Sequence, residues 1–292
     1  MAIKKKRPSK SLARGRPPTV QKPKTISRRA TKAVINSLHV LEKRKAQAIA
    51  RGDEAAAAAV HAEIITLGGI EKYQQASLQG QRNDRGGDSS RVLMEWLEPI
   101  VPLLGTSKPD RLRMLEVGAL SVTNECSRSG LFDIERIDLN SQGDGILQQD
   151  FMERPLPKSD TERFHIISLS LVLNFVPDAL GRGNMLLRTL EFLKEHKAWP
   201  SPELRQFFPS LFLVLPAPCV TNSRYMDETH LETIMNAIGY EKTRTRLTQK
   251  LIYHLWTRQS QPVAKPPSFK KTEIRPGRSR NNFSIVLREP AS

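Results

Sequence analysis

The most constraining feature of this sequence is a succession of short runs that are apolar almost throughout. Arg113–Gly118, Phe164–Ser170 and Leu211–Leu215 are such runs, and the more polar Ile134–Leu139, ending near an acid, and Gly145–Phe151 read as strands between the first and second of these. A strand with one wet face alternates polar and apolar residues. These runs largely do not, so they are expected to be strands covered on both faces. The covering helices are legible as well. Ala179–Lys197 puts Met185, Leu186, Leu190 and Leu193 on one face, and Asp227–Ile238 is a second helix, stopped by Gly239. Apolar strands alternating with helices predict an α/β fold with a mostly parallel sheet. Two long strands, Glu241–Arg258 and Asn282–Arg288, are expected to close it as an antiparallel hairpin joined by a basic loop.

An open parallel sheet binds ligands outside the carboxyl ends of its strands, where the strand order reverses. Gly118 ends the first strand, and Asp138 ends the second twenty residues later. Glycine there lets a ligand approach the backbone, and a carboxylate at the second position accepts hydrogen bonds from both hydroxyls of a ribose. The repeated glycines that seat a pyrophosphate are missing, since Ala119, Leu120 and Ser121 follow Gly118. A nucleoside ligand without a pyrophosphate fits better, and S-adenosylmethionine is the candidate. Asp150 is expected to accept a bond from the exocyclic adenine amine, and Phe151 to stack on the ring. Ser168, Leu169 and Ser170 are expected to line the pocket floor.

Upstream, residues 31–105 read as a helical region. Val34, Leu38, Leu41, Ala48 and Ile49 recur at helical spacing. Gly52 stops that helix, Asp53 caps an Ala-rich second one over Glu54–Leu67, and a short helix is expected near Ile70–Leu78. The polar, Gly-rich stretch Gln79–Ser90 is a loop that could face a ligand, with Asp88, Ser89 or Ser90 capping a helix over Val92–Val101.

The charge is concentrated before all of this. Of a formal net charge of +16, the first 33 residues carry twelve bases and no acid. With Pro8, Pro17, Pro18 and Pro23 among them, residues 1–30 read as a disordered basic tail suited to nuclear import and RNA contact. A second basic patch runs from Lys265 to Arg280. No apolar run approaches the roughly 20 residues of a membrane span, so no membrane partner is expected. The basic start is followed by no apolar segment of a secretory signal. Cys126 and Cys219 read as buried free thiols, and the six histidines lack metal-ligand spacing.

Several motifs add a resemblance. Leu115-Glu116-Val117-Gly118-Ala119-Leu120, Ile137-Asp138-Leu139-Asn140-Ser141, Gln149-Asp150-Phe151-Met152-Glu153-Arg154-Pro155 and Ser168-Leu169-Ser170-Leu171-Val172-Leu173-Asn174-Phe175-Val176-Pro177 form a set. Together with Tyr73–Gln81 and Gly86–Ser90, this set resembles the fungal 25S ribosomal RNA adenine-N1 methyltransferases, over about residues 70–290. The resemblance implies a class I, Rossmann-like fold over 110–292, with a seven-stranded sheet, helices on both faces and the helical region before it. It also implies S-adenosylmethionine held at Gly118 and Asp138, large-subunit rRNA or a preribosomal particle as partner, and a location in the nucleus and nucleolus. Methylation at N1 of adenine needs no prior proton removal, so the chain's role would be positioning, with Asn174 bonding and Phe175 stacking on the target base. The alternative is a non-catalytic S-adenosylmethionine sensor acting through a protein partner, as an animal relative of the family does.

Overall fold

The computed structural model describes residues 28–69, 88–104, 111–141, 143–195, 201–259 and 268–288. The readings for residues 1–27, the Ile70–Leu78 helix, Gln79–Gly87 and Lys265 lie outside these segments.

The chain begins with two paired helices, α1 (Arg28–Ala50) and α2 (Glu54–Thr66). Gly52 turns between them at φ +72°, and the Asp53 side chain accepts the Ala56 N–H at 2.9 Å. A cap of this kind is worth about 1 kcal/mol. Leu38 and Leu41 meet Val60 and Ile64 in a small core of their own.

A seven-stranded sheet follows, built from β1 (Leu112–Val117), β2 (Phe132–Asp138), β3 (Leu147–Gln148), β4 (Ile166–Ser170), β5 (Ser210–Pro216), β6 (Tyr240–Leu247) and β7 (Leu251–Arg258). The order is β3-β2-β1-β4-β5-β7-β6, parallel except for β7, which is antiparallel to both neighbours. The order reverses between β1 and β4, whose registers match Glu116 with Ser168 and Val117 with Leu169.

Both faces are covered, as the unbroken apolar runs require. On one side Leu115, Val117, Ile167, Leu169, Leu213 and Trp256 pack under α5 (Ala179–Phe192) and α8 (Glu228–Ala237), which bring Leu186, Phe192, Leu231 and Ile234. On the other side Met114, Ile166, Phe212 and Leu255 pack under α3 (Ser90–Leu97), bringing Leu93, Trp96 and Leu97, and the short α4 (Glu125–Arg128), bringing Cys126. Two further short helices, α6 (Pro202–Arg205) and α7 (Pro218–Thr221), flank β5.

Three expectations need correction. Glu241–Arg258 is itself the closing hairpin, folded at Thr248–Lys250 where the Thr248 N–H donates to the Leu251 carbonyl. The turn was hidden because it contains neither glycine nor proline. Asn282–Arg288 joins no sheet. Its alternation of Phe283, Ile285 and Leu287 arises because one side of an extended strap is buried against the helical layer. The helix beginning at Ala179 ends at Phe192 rather than Lys197, and Leu193 turns away to pair with Phe164. Among the described residues no helix is long and apolar enough to cross a membrane.

Candidate functional site

The carboxyl ends of β1, β2, β3 and β4 form one rim. Gly118 closes β1 at φ +72°, and its N–H donates to the Ile137 carbonyl at 2.8 Å. A Cβ built on Gly118 would stand 2.6 Å from Cγ2 of Val172, the second residue after β4. Both the left-handed backbone and the lack of space therefore require glycine here. Leu171, before Val172, is itself at φ +60°, a conformation costly for a branched side chain. Its N–H donates to the Val214 carbonyl on β5, which holds the turn in place.

Asp138, the last residue of β2, is half-buried. Its Oδ1 accepts the Asn140 N–H at 2.8 Å, and its backbone carbonyl accepts from Gln149 at 2.9 Å. Asp150 follows β3 on the same rim, with Oδ1 accepting the Met152 N–H at 2.7 Å. Phe151 is elsewhere. Only 2% exposed, its ring packs on Phe192 at 5.4 Å in the core, and its carbonyl accepts from Arg188 Nε at 2.8 Å. The ring is therefore spent on the core, and the stacking expected of it on a ligand is a correction. Ser168 is likewise buried, facing Glu116 within the sheet, while Ser170 stands at the end of β4. Asn174 and Phe175 sit in a single 3₁₀ turn, Leu173–Phe175, directly after the rim. The Oδ1 of Asn174 is buried and meets no hydrogen-bond donor among the described residues.

A polar cluster behind the rim was only partly legible. Asp88, expected as a helix cap, takes that role twice. Its Oδ1 accepts from Ser90 N–H and Oγ–H, starting α3, and its Oδ2 accepts the Glu125 N–H, starting α4. Ser89 and Ser170 share a hydroxyl bond of 2.8 Å across to the end of β4. Residues 88–90 are thus tied to the rim by side chains. Glu116, two residues before Gly118, accepts from Asn124 Nδ2 at 2.8 Å and lies 3.7 Å from Arg136 Nε. Burial, opposed by Asn124 and Arg136 and aided by Asp88, pushes its carboxyl up to about 7. Its only sign in the sequence is its place between Leu115 and Val117 in a mainly apolar strand. Cys126 and Cys219 are buried free thiols, and burial pushes the Cys219 thiol up to about 12.

The rim therefore offers a glycine cradle in which a Cβ would collide with Val172, a carboxylate at the end of the neighbouring strand, and a buried amide oxygen that meets no donor among the described residues. These features suit a nucleoside on one side and an amine-bearing base on the other.

Residues 58–285 match the profile of a family described as 25S rRNA (adenine(2142)-N(1))-methyltransferase, Bmt2. The chain is 40% identical over 227 residues to the 25S rRNA (adenine(2142)-N(1))-methyltransferase of Saccharomyces cerevisiae, covering 77% of this chain and 62% of that protein. It is 41% identical over 228 residues to the 25S rRNA adenine-N(1) methyltransferase of Schizosaccharomyces pombe, covering 77% of this chain and 79% of that one. This chain thus spans less than two thirds of the budding-yeast relative it matches.

Proposed function

Because the chain belongs to the 25S rRNA (adenine(2142)-N(1))-methyltransferase family, Bmt2, we propose that it transfers a methyl group from S-adenosylmethionine to N1 of an adenine in large-subunit rRNA. The observation that carries the reading is the Gly118 turn at the switch point, where an added Cβ would stand 2.6 Å from Val172 Cγ2, set beside the Asp138 carboxylate. Such a turn presents bare backbone at the strand end, and Asp138 is the group to hold ribose hydroxyls. Asp150 is the group to meet the adenine of the cofactor. The core position of Phe151 leaves that ring to be gripped by backbone and neighbouring aliphatic groups.

When bound, S-adenosylmethionine supplies an electrophilic methyl group. Adenine N1 already carries a lone pair, so no residue needs to remove a proton first. The chain's task is to hold the base in line and to stabilise a product that is positive at N1. N1 lies on the pairing edge, so the base must be single-stranded or flipped. Asn174 Oδ1 is suited to accept a hydrogen bond from the exocyclic amine, which orients N1. Phe175, one residue on, is suited to stack against the base face. The Ser89–Ser170 bond and the two caps of Asp88 keep the surrounding segments in register, so the geometry exists before the base arrives.

The nucleus and nucleolus are the proposed compartment, on the strength of the twelve-base arm. The direct test of the pocket is calorimetry with S-adenosylmethionine. Wild type should bind, and Asp138→Ala should bind at least about tenfold more weakly while melting within a few degrees of wild type. Equal affinity in the two proteins would remove Asp138 from the site.

A further inference from the structure

The strap that joins no sheet, residues 268–288, contains six bases and one acid. Its apolar residues are spent on anchorage: Phe283, Ile285 and Leu287 are buried in the core cluster under α5 and α8. Gly183 of α5 is pressed so closely that a Cβ would stand 2.0 Å from the Val286 carbonyl. The anchorage lies along segments that leave the carboxyl ends of β4 and β5. The Val286 N–H donates to the Ala179 carbonyl at 2.9 Å, and Arg182 donates to the Ser284 carbonyl at 2.8 Å. Asn281 and Asn222 bond through the backbone at 3.0 Å, as do Arg224 and Asn281. Ala179 is only four residues past Phe175, so the strap adjoins the rim that would take the base.

What the strap leaves outward is mainly positive, with Glu273 the one exposed acid. Lys270, Lys271 and Arg278 are exposed. Elsewhere in the domain Arg113, Arg136, Arg154, Lys194, Lys242 and Arg246 each face a carboxylate. Among the described residues no ion pair forms on Lys270, Lys271, Arg278, Arg280 or Arg224. Burial lowers the Lys271 pKa, and so do its cationic neighbours Lys43, Arg224 and Arg182. Between these charges stands one ring: Tyr225 has Lys271 Nζ at 4.2 Å and the Arg224 guanidinium at 5.5 Å from its centroid. Two cations on one aromatic face, with further exposed cations along the same strap, suit a flexible polyanion whose bases can stack. A folded acidic protein would need only the charge.

We propose that the outer face of this strap, with Arg224 and Tyr225, is the track on which the single-stranded RNA flanking the target adenine lies. The inference rests on the methyltransferase reading and adds to it where the substrate is held. Arg275 is not part of the track, because its guanidinium donates to the Val220 and Met226 carbonyls and fastens the strap from beneath.

The test uses the full chain and its triple variant Lys270→Ala/Lys271→Ala/Arg278→Ala, none of whose side chains is used in anchorage. The probe is an unmodified large-subunit rRNA transcript, with S-adenosylmethionine affinity as the check on folding. Each phosphate contact to a single strand contributes about 0.7 to the slope of log affinity against log salt, so three lost contacts should flatten it by about 2. The KM for RNA should rise about tenfold or more with kcat nearly unchanged, the mark of contacts remote from the chemistry. The charge-keeping variant Lys270→Arg/Lys271→Arg/Arg278→Lys should behave as wild type. A triple variant with unaltered KM and salt slope, in a wild type that does methylate the transcript, overturns the track alone. A charge-keeping variant as impaired as the triple variant overturns it too. Polyglutamate displacing RNA from the strap at equal charge would assign the face to an acidic protein instead. A wild type that binds S-adenosylmethionine yet neither binds nor methylates RNA removes the methyltransferase reading, and this inference with it.

Discussion

Gly118 and Gly130 offer a matched pair that separates two reasons for a glycine. Both lie in the left-handed region, at φ +72° and +73°. A Cβ on Gly130 meets nothing within 4 Å, whereas one on Gly118 meets Val172 Cγ2 at 2.6 Å. Gly130→Ala should therefore show backbone strain alone, about 1–2 kcal/mol. Gly118→Ala carries the same strain plus overpacking against a stiff β-branched side chain, roughly 1–3 kcal/mol more. For a domain of this size each kcal/mol moves the melting temperature by about 2–4 °C, so the second variant should melt visibly lower than the first. The excess must also appear at the ligand, because relief of the contact requires the turn or the segment after β4 to move. Gly118→Ala should lose at least about tenfold in S-adenosylmethionine affinity, close to 1.4 kcal/mol, and Gly130→Ala should lose none. Adding Val172→Ala removes the partner of the clash. A double-mutant cycle between positions 118 and 172 should then show coupling of about 1–3 kcal/mol in favour of the pair. Denaturation and calorimetry on the four proteins of the cycle and on Gly130→Ala settle the matter. Equal stabilities for Gly118→Ala and Gly130→Ala, with unchanged ligand affinity, would refute the claim that the cradle is sterically defined.

Further outcomes follow from the same geometry. Glu116 binds its proton more tightly folded (about 7) than unfolded (near 4.5), so its ionisation opposes folding, and the stability it withholds grows as pH rises from about 4.5 to 7. A shift of that size corresponds to roughly 3 kcal/mol, so Glu116→Gln should gain on wild type by about that amount between pH 5 and 8. The comparison with the variant is needed because burial holds His165 and His254 down to about 4, which weakens the fold in the opposite direction, as pH falls from 6.5. A flat difference curve across that window would contradict the burial of Glu116. Tyr240→Phe deletes the buried bond of 2.6 Å to Thr189 Oγ1 and should cost about 1–2 kcal/mol in urea titrations without altering ligand affinity. Asn174→Ala should lower kcat for methyl transfer while S-adenosylmethionine affinity stays at the wild-type value. A matching loss of cofactor affinity would move Asn174 out of the base site.

The sheet was legible because burial on both faces leaves a one-dimensional mark. No polar residue interrupts Leu211–Leu215, and the strands found there pair as the runs suggest. Gly118 and Asp138 were legible for a related reason, since a strand's end is visible in sequence and the switch point follows from topology. What failed was set by contacts remote in sequence. Phe151 looks like a ring beside a pocket until Phe192, far along the chain, is seen to claim it. Asn282–Arg288 alternates like a strand, yet its partner is a helix surface. The turn at Thr248–Lys250 uses ordinary residues, so composition could not separate β6 from β7. The cluster of Asp88, Glu116, Asn124 and Arg136 joins four separate stretches of chain, and only Asp88 carried a local sign of its role.

The central claim is methyl transfer to N1 of an adenine, and one measurement addresses it directly. The full chain is incubated with methyl-labelled S-adenosylmethionine and large-subunit RNA lacking the modification, in free and preribosomal form, and the RNA is digested to nucleosides. The account predicts label in 1-methyladenosine, abolished or strongly reduced by Asp138→Ala. Absence of label from both RNA forms, in a protein that still binds S-adenosylmethionine, would contradict it.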